Sequence, residues 1–150
     1  MSSLLRAVAL GAASGSRSSA GIAAVALTSA RGDSGWLASG FGSRAGRAMT
    51  ALMAAGELVV DKLPATPSRL APPGLVPRAL FGAISAGAVA RRDGFAPVLP
   101  AVVAAAGALG SAVCGAQWRT TASRRFGSDL PGALAEDGVA ALLGWLGARR

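Results

Sequence analysis

The chain has 150 residues, of which 52% are hydrophobic and only 15% charged, with a mean hydropathy of +0.49; a soluble domain carries about 25% charged residues. The net charge is +8, from 15 basic and 7 acidic residues. That excess would suit nucleic acid, but there is no Lys-rich tract and no aromatic-basic interleaving, so no nucleic-acid partner is expected. With no histidine and one cysteine, zinc sites and the usual Ser-His or Cys-His nucleophiles are excluded. No cofactor or metal is expected, and no enzymatic activity.

Lys62 is the one lysine; the other bases are arginines that punctuate apolar stretches, as membrane-edge anchors do. The Arg, Ala and Gly bias also fits a GC-rich bacterial genome.

In chain order, the first apolar segment is Leu4 to Ala30, interrupted by Arg6 and Arg17. Thr28-Ser29-Ala30 loosely resembles a signal cleavage site, but Arg17 stands where a signal needs an unbroken apolar run. The segment therefore reads as one membrane helix. Gly11 and Gly15 form a GxxxG stripe on it, of the kind that lets backbones approach closely in lipid. Arg17 lies about 16 Å along a helix from Arg6, too deep to reach the near interface easily. A charge there is expected to pair or to face a polar cavity.

Gly32 to Ser43 reads as a Gly/Ser loop containing Trp36. The next helix is expected over Ala48 to Leu63. Glu57 and Asp61, at i and i+4, share a face with Arg47, Thr50 and Ala54, and are the natural partners of Arg17. Lys62 and Pro64 close that helix. Five prolines between Pro64 and Pro77 argue against regular helix there. Ala79 to Ala90 reads as a short helix ending at the turn Arg91-Arg92-Asp93-Gly94.

Gly94 to Trp118 runs 25 residues without a charge, long enough to cross a hydrocarbon core of about 30 Å. Gly107, Ser111 and Gly115 repeat the small-residue stripe, and Cys114 sits among them as a packing residue. Thr120 to Gly132 reads as a polar loop, with Asp129 and Pro131 starting a last helix. Glu136 and Asp137 are placed in its first turn, where acids favour the helix dipole, or as a second acidic element near Arg17.

The expected fold is thus all-α: one integral membrane domain, a polytopic bundle of four to five short Ala/Gly-rich helices. Its partner is the bilayer, and its glycine faces suit a homo-oligomer. Five crossings would put Arg6, Lys62, Arg69, Arg78, Arg119, Arg124 and Arg125 on one side. Arg31, Arg44, Arg47, Arg91, Arg92, Arg149 and Arg150 would take the other. Seven bases against seven give no orientation under the positive-inside rule.

Gly11-Ala-Ala-Ser14-Gly15-Ser-Arg17, Glu57-Leu-Val-Val-Asp61-Lys62-Leu-Pro64, Arg78 with Gly82, Gly107-Ala-Leu-Gly110 and Glu136-Asp137 together resemble a family of small bacterial integral membrane proteins of uncharacterised function. The resemblance implies a helical bundle in the cytoplasmic membrane. It implies no reaction or ligand. Candidate binding residues from the sequence are Arg17, Glu57, Asp61, Lys62, Glu136 and Asp137. The function they suggest is that of a small transporter or channel, or of a membrane assembly protein.

Overall fold

A computed structural model describes residues 1–60 and 70–150. Among the described residues it is all-helical, with seven helices: α1 (Ser3–Ser16), α2 (Ala20–Thr28), α3 (Trp36–Gly42), α4 (Arg44–Val60), α5 (Pro72–Arg92), α6 (Val98–Phe126) and α7 (Leu130–Ala148). Two of them, α5 and α6, are long and apolar enough to cross a membrane.

The segment expected to be one helix is a hairpin. α1 stops at Ser16, and Arg17 is extended, with φ −141° and ψ 119°. The chain then reverses through Ser18 and Ser19 into α2. Gly15, Ser16, Ser18 and Ser19 are weak helix formers, so little local free energy opposes the break. Both outer ends of the hairpin return to the same end of the bundle. There Arg6 pairs with Asp93 at the foot of α5, and Arg92 donates to Thr28 Oγ1 and Ser29 Oγ at the foot of α2 (both 3.3 Å).

α1 is the central element, packed most extensively on α6, then on α7 and α5. The small-residue stripe makes this closeness feasible. A Cβ at Gly11 would collide with the Ala104 backbone (2.8 Å from its Cα), and one at Gly15 with Ser111 Cβ (2.7 Å) and the Ala108 carbonyl. Gly107 comes close to Gly11 on the same seam. The Ser111 hydroxyl donates to Ala12 O (2.8 Å) and lies 3.1 Å from that of Ser16. Gly147 fits against Leu10 on the α7 side. Leu10 and Val25 are the largest fully buried apolar side chains, and most of the remaining core is alanine. Backbone proximity therefore replaces bulky side-chain interdigitation as the means of exclusion.

Several boundaries differ from the sequence expectation. Trp36–Gly42 is helix, not loop. α5 begins at Pro72, with Pro72 and Pro73 at its first positions and Pro77 inside. The missing N–H of an early proline costs nothing there, since those amides have no intrahelical partner. α6 runs on to Phe126 through the stretch read as a loop, ending at Gly127 with φ 64°. α5 and α7, at 21 and 19 residues, are thus about 31 and 28 Å long, longer than the short helices expected, and of the two only α5 is apolar enough to cross a membrane.

Gly11→Ala should destabilise the fold by about 1–3 kcal/mol through overpacking. Gly56→Ala, on an open helical face, should stabilise it by about 0.5–1 kcal/mol. Thermal unfolding of the two purified variants checks the pair.

Candidate functional site

The tip of the hairpin, Arg17 to Ser19, lies beside Ser111, roughly halfway along the 29-residue α6. Interrupting a helix frees carbonyls at the end of one piece and amides at the start of the next. Both sets are engaged by side chains from other helices. Glu57 on α4 accepts from the Ser18 amide (2.7 Å) through one oxygen. Its other oxygen accepts from the Ser19 amide (2.9 Å) and hydroxyl (2.6 Å). It is the acidic cap of α2, where the helix dipole favours a negative charge. Arg78 on α5, 5% exposed, donates from Nε to Gly15 O (3.0 Å) and from Nη1 to Gly74 O (2.7 Å). It is the basic counterpart at the end of α1.

Arg17 turns the other way, toward α7. Its Nε and Nη2 both donate to Asp137 Oδ1 (2.9 and 2.7 Å), and Nη2 also to Oδ2 (2.9 Å). The partner of Arg17 is therefore Asp137, not Glu57. Arg17 Nη1 and Ser14 Oγ are buried with no hydrogen-bond partner among the described residues. Asp137 and Glu136 lie two turns into α7 rather than in its first turn. Glu136 packs against Gly115 and pairs with Arg119 (3.3 Å); Arg119 also holds Asp129. Asp61 and Lys62 lie outside the described residues.

The face Arg47-Thr50-Ala54-Glu57 lies along α2. Arg47 donates to Ala26 O (3.1 Å) and Ser29 O (3.0 Å) at one end, and Glu57 caps Ser19 at the other. Beside this contact a groove of about 380 Å³ opens between α2, α4 and α7. Arg17, Ser19 and Asp137 line it together with Ala20, Ala24, Leu27, Ala54, Ala140 and Trp145. The arrangement offers an apolar slot with the Arg17–Asp137 ion pair at its polar end. No group of three or more metal-ligating side chains occurs among the described residues.

Sequence reasoning missed Arg78 as an interior residue, because it reads as one of the arginines that punctuate apolar stretches as membrane-edge anchors. The signal was Gly82 one turn on, which lets α5 approach Gly11 and Ala104.

At the foot of the bundle, Asp33 is bound by Arg150, which together with the Ala30 amide holds its carboxyl below the usual range despite burial. A depressed carboxyl stabilises above its unfolded pKa and loses that effect as pH falls through the folded value. The Tm gap between the wild type and Asp33→Asn should be constant above about pH 5 and shrink below about pH 4. At the tip, Glu57→Gln replaces an acceptor by an amide that opposes two N–H groups, and should cost about 1–3 kcal/mol in denaturant unfolding. A double-mutant cycle of Arg17→Ala with Asp137→Ala should give a coupling of about 0.5–3 kcal/mol. Comparison with protein-family models gives no match to this chain, and comparison with curated proteins and with solved structures gives none either.

Proposed function

We propose that this is a non-enzymatic, multi-pass protein of the bacterial cytoplasmic membrane, akin to the small membrane proteins its motifs resemble. In this reading the hairpin tip is the solute site of a small transporter or channel. One observation carries it: a discontinuous helix ends inside the bundle, beside a groove lined at that point by the Arg17–Asp137 ion pair. Broken helices meeting at mid-depth are how many transporters place polar backbone and charge around a solute. The outer face of α6 supports the membrane part. Leu99, Val102, Leu109 and Val113 are all exposed along it, as suits lipid contact. The groove sets the size class of the solute, and the Arg17–Asp137 pair that lines it selects a polar one.

Reconstituted in vesicles, the protein should pass a small polar solute. Ala54→Trp, which fills the groove without touching a charge, should block that flux. Arg17→Lys should lower it about tenfold, the effect of losing one charged hydrogen bond. If both variants only lower Tm and leave flux unchanged, the site reading fails.

A second reading, a membrane assembly protein, is favoured by Glu57 and Arg78, whose visible hydrogen bonds hold helix ends. It predicts no flux, and crosslinking of exposed Cys114 on α6 to one dominant neighbour or to a second copy.

A further inference from the structure

The hairpin changes which end of the bundle each arginine occupies. Because α2 returns the chain to the end where α1 starts, that end also carries the start of α4, the end of α5, the start of α6 and the end of α7. The ties that fix this run from Arg6 to Gly147 O (2.9 Å) and Arg149 O (2.7 Å), from Arg92 to Ala148 O (2.6 Å), and from Arg47 to Ser29 O (3.0 Å). Eight arginines gather here: Arg6 on α1 and those of segments 31–47, 91–92 and 149–150. They face two aspartates, Asp33 and Asp93, both already paired. The opposite end carries Arg119, Arg124 and Arg125 against Asp129 and Glu136. Lys62 and Arg69 lie outside the described residues; allotting both to that opposite end, with Arg78 near the start of α5, still leaves eight bases against six.

Exposed aromatic side chains mark the same arginine-rich end. Trp36 is 81% exposed and Phe95 57%, and the Arg149 guanidinium lies 4.8 Å from the centroid of the Trp145 ring. Between α3, α5 and α6 a groove of about 560 Å³ has Trp36 and Arg91 among its lining residues and Ala83, Ile84, Gly87 and Ala101 along its walls. From Arg91 to Ala83 it extends about 12 Å along α5. It is a largely apolar groove that starts at an exposed cation and runs along α5.

We propose that the arginine-rich end binds anionic phospholipid of the cytoplasmic leaflet, with one lipid seated in the α3/α5/α6 groove, its phosphate at Arg91 and an acyl chain along Ile84 and Gly87. The positive-inside rule and the negative potential of that leaflet select this partner on charge. The hairpin then enters the membrane from the cytoplasmic side and turns back within it. The proposal rests on the membrane reading above.

The test uses the full chain with Trp118→Phe and Trp145→Phe, leaving Trp36 as the sole tryptophan, in phosphatidylcholine vesicles containing a minor fraction of brominated lipid. Brominated phosphatidylglycerol should quench Trp36 more than brominated phosphatidylcholine, with a preference of about fivefold for the arginine engaged. Arg91→Ala should remove the preference, and inorganic phosphate should not displace the lipid. Equal quenching by the two lipids, or displacement by phosphate alone, overturns the lipid site. Sidedness is read in a Cys114→Ala background. Gly32→Cys should react with an impermeant maleimide only after cells are permeabilised, and Ser128→Cys in intact spheroplasts. The reverse pattern overturns the orientation. Release of the wild-type chain from membranes by alkaline carbonate would instead sink the membrane reading itself, a separate and distinguishable outcome.

Discussion

The structure depends on how the broken backbone between α1 and α2 is completed. Stopping a helix inside a tightly packed bundle exposes polar groups that water cannot reach readily, at about 1–3 kcal/mol for each left unpaired. Glu57 and Arg78 remove most of that cost from opposite sides of the break. Their charges also match the dipoles of the two short helices they cap. The same two side chains pin α4 and α5 to the hairpin. A local backbone problem thereby sets the positions of two distant helices.

Close backbone packing is the second constraint. With a core of alanine and glycine, burial per residue is small, and stability has to come from many short contacts between helix backbones. Gly11, Gly82 and Ala104 meet where α1, α5 and α6 cross. The consequence is a site with rigid walls. Arg17 is oriented by a three-bond grip on Asp137 rather than by surrounding bulk.

Part of this was legible in the sequence. The helical class followed from apolar runs without strand periodicity. The spacing of Gly11 and Gly15 marks the α1 seam, and Arg47, Thr50, Ala54 and Glu57 mark the face that meets α2. Asp129 and Pro131 mark the start of α7. The hairpin was not legible. No proline or single glycine forces the break at Arg17, and its determinants lie far away, Glu57 39 residues from Ser18 and Arg78 63 from Gly15. Asp137 rather than Glu57 pairs with Arg17 for the same reason: the extended tip aims the guanidinium at α7, and no spacing rule encodes that direction. The length of α5 was hidden by prolines that sit mostly where a helix tolerates them.

The arginine clamps at the foot of the bundle bear on how the chain acquires its structure. Arg6 binds backbone oxygens of residues 147, 148 and 149, more than 140 residues away, and Arg92 shares the Ala148 carbonyl. Residues up to 149 must therefore be synthesised before the central helix finds these acceptors. Until then the two guanidiniums have to be solvated or held by other groups, and α1 lacks the wall that α7 provides. Final closure is a non-local event with a large loop-closure entropy. The central helix is made long before it is locked in place.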